Sequence, residues 1–446
     1  MLQPSCLLVT LLPFTKKSLF NTQMAPTLPF RIPSSASTSS KCGISVQVGR
    51  RLSSCTVAAG VATATATAAA TATAAAKERQ HNYLDSSNKF LRQALVVPAS
   101  KPGLDPSTNR FHQPIVYHPN YSFKSWPAKH TFPMSKFYHT AQALLQRQPH
   151  LPRPLVRSAD NFYTPLDTDS IPEAWISQPS GPIDAQFLSS FLNSNLTREE
   201  QRVIGFRELC SSDELISRTL LEVAGTVLTS NLAYRYGLAT NVAGGTHHAH
   251  SKMGAGYTII NDLAVASNYV MDESLNGGTI RGVNRVLVID CDVHQGDGTA
   301  QFDLFEGDDS RMLFTLSLHC ESNYPRYKAN STFDVGLPDK MRDEEYMEVL
   351  MKSVNHAIEE TKPDFIFYDA GVDVYENDVL GRLKITEGGI RNRDRWVIER
   401  CVTEGIPVAG VIGGGYDKDV EALARRHAII HEEAAFVWRK HKLWQK

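Results

Sequence analysis

The stretch Asp290-Cys291-Asp292-Val293-His294 sets three metal-competent side chains at alternate positions. It follows Val286 to Ile289, a short apolar run that reads as a buried parallel strand. Residues two apart in a strand share a face, so Asp290, Asp292 and His294 project to one side where the strand runs out. Two carboxylates and an imidazole are costly to bury bare, and a bound cation offsets that cost. Carboxylate oxygen and imidazole nitrogen are both competent zinc ligands. A lone Asp-x-Asp is more simply a strand end in water, so the metal reading depends on what other loops bring to the same place.

Those loops come from a repeating pattern. Asn241 to Ala243 is a short strand ending in Gly244-Gly245-Thr246-His247-His248-Ala249-His250. Arg285 to Ile289 ends in the Asp/His cluster, and Met312 to Leu316 ends in Ser317-Leu318-His319. Asp364 to Tyr368 ends in Asp369-Ala370-Gly371-Val372-Asp373, and Ile406 to Ile412 ends in Gly413-Gly414-Gly415-Tyr416. Ile115 to Tyr117 is a plausible first strand. Helical patterns lie between, at about Ser135 to Gln146, Asp213 to Tyr236, around Met347 to Ile358, and Thr386 to Glu404. Residues 150 to 185 are proline-rich and irregular. Strand and helix in alternation mean an α/β domain with a largely parallel sheet. In such sheets, sites form outside the carboxyl ends of the strands.

On that edge the residues suit amide hydrolysis. Asp292, His294 and Asp373 give three ligands with open positions, the mark of a catalytic metal. His247 and His248 are acid/base candidates, with Asp290 and Asp297 available to orient them. Tyr416, on a glycine turn, can donate a hydrogen bond to a developing oxyanion. No serine or cysteine nucleophile is required.

Four motifs carry a resemblance. Gly-Gly-Thr-His-His-Ala at 244–249, Asp-Cys-Asp-Val-His-Gln-Gly-Asp-Gly at 290–298, Ala-Gly-Val-Asp-Val-Tyr-Glu-Asn-Asp at 370–378 and Gly-Gly-Gly-Tyr at 413–416 occur in the order of the zinc-dependent histone deacetylase family. The likeness runs from about Pro114 to His431. Gln295 and the stretch 317–325 are most similar to the class IV, bacterial-like branch. The resemblance implies the arginase/deacetylase α/β fold, a single domain with an eight-stranded parallel sheet. It implies zinc on Asp292, His294 and Asp373, with His248 as general base and acid paired to Asp297. His247 would pair with Asp290 and stabilise charge, and Tyr416 would polarise the acyl carbonyl. Tyr257 and Tyr324 match the aromatic pair of the acyl-lysine tunnel, with Gly256 contributing backbone and Leu380 at the mouth. Asp290, Asp292, His294, Ser317 and Leu318 match a structural potassium site. Two departures stand out: the tunnel aromatics are Tyr where Phe is commoner, and the family's His-Asp substrate-backbone loop has no clear counterpart in 172–190, where Gln178-Pro179-Ser180-Gly181 stands.

The chain has 446 residues and a formal net charge of −1. Before Glu78 there is no acidic residue, and seven basic ones lie there, leaving 39 basic against 47 acidic residues in the rest. A mildly acidic body argues against nonspecific nucleic-acid binding. Seven widely spaced cysteines make neither a disulfide framework nor a cysteine metal site. No run is apolar enough for a membrane span. Residues 1–78 are Ser/Thr/Ala-rich and read as a transit peptide, plastid before mitochondrion; a tail without an address in a nuclear or cytoplasmic protein, or a true start at Met24, is the alternative. Residues 79–112 read as a linker and 113–440 as the deacetylase domain. The expected substrate is an acyl-lysine peptide or protein. Acetylated polyamines or other small acylamines are the runner-up, and a scaffold that keeps fold and metal is the reading from another class.

Overall fold

The apolar runs that end in chemistry-bearing loops are strands of one sheet. The computed structural model describes residues 112–445, apart from 147, 152, 166–170 and 303–310. The transit-peptide reading of 1–78 and nearly all of the 79–112 linker lie outside the described residues. In chain order the strands are β1 (Ile115–Val116), β2 (Leu238–Asn241), β3 (Arg285–Asp290), β4 (Met312–Cys320), β5 (Phe333–Leu337), β6 (Phe365–Asp369) and β7 (Val408–Val411). They pair β1-β2-β7-β6-β3-β4-β5, with every neighbouring pair parallel. The helices are α1 (Lys136–Leu145), α2 (Glu173–Ile176), α3 (Ala185–Leu192), α4 (Arg198–Ile204), α5 (Asp213–Tyr236), α6 (Asp262–Met271), α7 (Asp297–Ala300), α8 (Asp343–Thr361), α9 (Glu387–Thr403) and α10 (Val420–Lys440).

Local chemistry explains the helix ends. The Ser212 hydroxyl caps α5 by accepting from Leu215 N–H, and Gly237 ends it at φ 83°. Thr386 caps α9 in the same way through Gly389 N–H, at 3.0 Å. The helix α5 packs on β2 and α6, while α10 packs on α1 and α9. Both are buried along most of their length, which fixes the sheet between them and the strand ends in place. Among the described residues no helix is long and apolar enough to cross a membrane.

Three details differ from expectation. The sheet has seven strands among the described residues, where eight were implied. What flanks β1 on its outer side is a single parallel bridge, Val116 to Tyr163, closed by Tyr117 N–H to Tyr163 O (2.8 Å) and Tyr163 N–H to Ile115 O (2.9 Å). Pro154 and Pro165 lie either side in sequence and lack the N–H that a ladder needs. Next, β2 ends at Asn241 rather than Ala243, because Gly244 and Gly245 take φ 88° and 86° and turn the chain. Finally, β5 was not foreseen. Its Phe-Asp-Val-Gly-Leu sequence carries an Asp and a Gly, and its partly exposed alternation suits an edge strand.

Register does the positioning. Asp290 at the end of β3 stands opposite Ser317 of β4 on one side and Asp369 of β6 on the other. The loops after β2, β3, β6 and β7 therefore leave from one edge.

Candidate active site

At that edge Asp292, His294 and Asp373 come together as a buried group able to hold a metal ion. His294 Nδ1 lies 3.1 Å from Asp292 Oδ1 and 3.2 Å from Asp373 Oδ2. The outer oxygens are held by backbone: Gly414 N–H donates to Asp292 Oδ2 (2.7 Å) and Val293 N–H to Asp373 Oδ1 (2.9 Å). A Cβ on Gly414 would stand 2.3 Å from Asp373 Oδ2 and 2.5 Å from Asp292 Oδ2, so only glycine lets the chain approach both carboxylates. Two carboxylates converging on one imidazole nitrogen in a dry pocket form a hard-oxygen and nitrogen donor set that fits a divalent ion. Burial and then the Asp292 charge raise the Asp373 carboxyl, as close like charges in a buried pocket do.

The two neighbouring histidines are paired differently. His247 Nδ1 is 2.8 Å from Asp290 Oδ2, and its Nε2 faces Asp292 Oδ1 at 3.9 Å. His248 Nδ1 is 2.6 Å from Asp297 Oδ1, and Asp297 Oδ2 also lies 3.3 Å from His250 Nε2. Burial pulls His247 down, but the charges of Asp290 and Asp292 overcome it and hold the ring well above its usual pKa. His248 goes the other way: burial and then the charge of His247 lower it to about 4, against the pull of Asp297. The result is one imidazolium and one neutral imidazole with ring centroids 4.2 Å apart. With Nδ1–H donated to Asp297, His248 keeps a free electron pair on Nε2 and can act as a base.

A tunnel leads down to these groups. His248, Gly256, Tyr257, Tyr324, Leu380 and Tyr416 are all in its wall, with Val203, Ile204 and Gly205 at the mouth. Tyr324 packs edge-on to His248 with centroids 4.9 Å apart. Gly256 has φ 54°, and a Cβ there would meet the His248 ring at 2.5 Å, which explains the glycine. The Tyr416 ring stands 6.5 Å from that of His294 and 6.1 Å from that of Tyr257. Burial keeps the Tyr416 phenol protonated far above neutral pH, so it is a donor. All twelve residues named from the sequence as catalytic, metal-binding or tunnel-lining thus belong to one contiguous site. Of the potassium set, Ser317 and Asp290 are register partners, and the Ser317 hydroxyl lies 3.0 Å from His319 Nδ1.

The family profile described as "Histone deacetylase domain" matches residues 184–431. The chain belongs to the histone deacetylase family. An uncharacterized protein of the cyanobacterium Picosynechococcus is 39% identical over 325 residues, covering 73% of this chain and 99% of that one. Histone deacetylase 2 of Arabidopsis thaliana is 32% identical over 200 residues, 44% of this chain and 49% of that protein, so the chain spans about half the length of this relative. Among solved structures, a histone deacetylase homologue from Aquifex aeolicus shares the fold, with a TM-score of 0.54 at 19% identity over 73% of this chain and 84% of that one.

In this deacetylase the site extends beyond the stretch that the family profile matches. Behind the metal group the pocket continues between Phe132, Lys136, Phe137, Arg218 and Glu222, three of which precede residue 184. Lys136 Nζ donates to Gly413 O at 2.9 Å, and burial lowers its pKa to about 8. Arg218 and Glu222 form a two-bond pair at 2.6 and 2.7 Å. Phe132, Phe206 and His130 pack around Tyr257 and form the back of the tunnel wall. None of these was named from the sequence; Phe132 lies in the Pro/His/Lys-rich stretch 118–134 and Lys136 in the first turn of α1, and neither position carries metal-ligand spacing. Asp369 was also passed over. It is fully buried, lies 3.9 Å from His247 Nδ1, and joins His247 and Asp290 as a second carboxylate group. What brings it in is register, which sets Asp369 of β6 opposite Asp290 of β3. Gln178 to Gly181 lie in a separate groove with Asn268 and Arg311, and the segment that reaches the tunnel mouth is instead Val203 to Gly205.

Proposed function

We propose that this deacetylase is a zinc-dependent hydrolase that removes acetyl or longer acyl groups from the side-chain amine of lysine in histones or other proteins. The observation that carries the reading is two adjacent histidines, each with Nδ1 on its own aspartate, beside a buried three-ligand metal group at the foot of an aromatic tunnel. Zinc, when held by Asp292, His294 and Asp373, polarises a carbonyl and lowers the pKa of bound water. Neutral His248 takes the proton of the attacking water on Nε2, while Asp297 holds the ring in the required tautomer. The same proton then serves the departing lysine amine. Cationic His247, fixed by Asp290, directs positive charge at the forming oxyanion. Tyr416 donates its phenol proton as a hydrogen bond to the acyl oxygen. Tyr257 and Tyr324 sheathe the methylene stem of the lysine and exclude water. A structural potassium ion on Asp290, Asp292, His294, Ser317 and Leu318 would neutralise part of the strand-end charge.

The tunnel lining, with Val203, Ile204, Tyr257, Tyr324 and Leu380, supplies apolar and aromatic groups that suit the methylene stem of a lysine, and acetylated polyamines stay the runner-up. Residues 1–78 support import into a plastid or mitochondrion, and in that compartment the substrates would be proteins other than nuclear histones. The test is turnover by the purified chain with zinc on acyl-lysine peptides and on acetylated polyamines, with a chelator control. Chelator-sensitive release from peptides is expected. Release from polyamines alone would replace this reading with the runner-up, and zinc binding without any turnover would replace it with the scaffold.

A further inference from the structure

Tyr416 has to meet the acyl oxygen within tenths of an ångström, yet it ends a run of three glycines. Gly413 and Gly415 take φ 57° and 157°, conformations open to glycine and rare for other residues. Such a backbone does not hold a side chain in place on its own. What fixes it must come from another segment.

That segment is the loop carrying Leu380, the tunnel lip. Asp378 Oδ1 accepts from Leu380 N–H at 2.8 Å and from Gly381 N–H at 2.9 Å, an ordinary side-chain turn within the loop. Its other oxygen does something a turn does not require. Asp378 Oδ2 accepts from Tyr416 N–H, 38 residues away, at 2.7 Å. A return bond runs from Val379 N–H to Tyr416 O at 3.1 Å. The lip is itself anchored on its far side. Asn323 donates to Leu380 O (2.8 Å) and accepts from Arg382 N–H (3.2 Å), and the same amide lies 3.4 Å from His294 Nε2. A Cβ on Gly381 would fall 1.8 Å from Asp373 O, so the lip also rests on the metal group's backbone. Lip, metal group and Tyr416 loop are thereby tied to one frame, and Asp378 is the tie that reaches Tyr416.

We propose that Asp378 is a positioning residue for the reaction: its carboxylate clamps the backbone of Tyr416 to the tunnel lip and so sets where the phenol meets the acyl oxygen. This rests on the deacylase reading above. Asp378 touches no reacting atom and acts through Tyr416.

Asp378→Asn in the full chain isolates the clamp. The remaining amide oxygen still serves Leu380 and Gly381, while the amide nitrogen facing Tyr416 N–H cannot accept. The expected result on an acyl-lysine peptide is a fall in kcat of about 10- to 100-fold, the scale of a misplaced catalytic group. KM should stay within about threefold, and zinc content should be unchanged. The double variant Asp378→Asn, Tyr416→Phe should be scarcely slower than Tyr416→Phe alone, because both remove one function. Unimpaired kcat, lost zinc, or fully multiplied effects in the double variant would overturn the proposal. Should Asp378→Asn not fold, Asp378→Glu keeps the charge but displaces the oxygen that meets Tyr416 N–H, and an unchanged kcat there overturns the proposal equally. An inactive wild type would sink the deacylase reading and this proposal together, whereas an active wild type with an unimpaired Asp378→Asn sinks the proposal alone.

Discussion

Two groups of buried histidines show what a carboxylate does to an imidazole. His247 and His248 lie at the strand ends, each with Nδ1 on an aspartate. His112 and His431 lie near the start of β1 and on α10, joined through Gln113 and Thr240 rather than through any acid. Burial lowers His112 to about 4 and His431 to about 3, and both rings are simply neutral. His427, one turn before His431, is buried with neither ring nitrogen hydrogen-bonded, and it too is pushed well down. Desolvation, joined at His112 and His427 by nearby cationic side chains, therefore yields inert rings. In the site, Asp290 and Asp292 hold one ring charged, and that charge helps keep its neighbour neutral. The difference between packing and chemistry lies in the partners, since both groups are equally dry.

The contrast can be broken by exchange. His248→Ala should lower kcat by about 10²- to 10⁴-fold, the worth of a general base, with zinc still bound; near-normal turnover would remove it from that role. Tyr416→Phe should cost about 10²- to 10³-fold in kcat, as loss of one oxyanion donor does, with KM little changed. The pH profile sharpens the comparison. With His248 held at about 4, the base is free of its proton above that value. Peptide kcat/KM, measured with zinc content followed at each pH, should hold from pH 7 to 5 and fall only on approach to pH 4. A fall centred at the ordinary histidine value of about 6.5 would show an unshifted base. The smallest effect belongs to the other group. His431 has a folded pKa of about 3 and an unfolded one of about 6.5, so below pH 6.5 the unfolded chain takes up a proton that the folded chain refuses. Stability is then lost by about 1.4 kcal/mol per pH unit as pH falls. Between pH 6.5 and 5 the wild type should lose about 2 kcal/mol more than His431→Gln in urea unfolding, while the variant's turnover at pH 7 stays near normal. Parallel stability curves would show that His431 is not held neutral by burial.

What was legible in the sequence follows the same division. The metal group, both histidine pairs and Tyr416 were readable because the polar residues crowd where apolar runs stop, although β3 ends at Asp290 and Asp292 and His294 stand in the loop beyond it. The parallel α/β sheet was readable from the alternation of strand and helix. Strand β5, which carries Asp334 and Gly336, was not, nor was the single Tyr163 bridge that flanks β1 among the described residues. Asp369 escaped because one more acid at a strand end has no meaning until register sets it beside Asp290. Asp378 and Asn323 escaped because their work is done on backbone atoms of distant segments, and no spacing encodes such a contact. Lys136 and Phe132 escaped because a floor is made by whichever residues the fold delivers there.

That floor makes the molecule vulnerable at a distance. Residues before 184 supply strand β1, the cation that binds Gly413 O and the ring behind Tyr257. A fragment trimmed to the recognisable family segment would keep every ligand, both histidine pairs and the tyrosine, yet open the β2 edge and unseat the glycine loop. A protease severing the chain ahead of residue 184, followed by loss of the released piece, would thus silence the enzyme irreversibly without touching a single group that handles substrate.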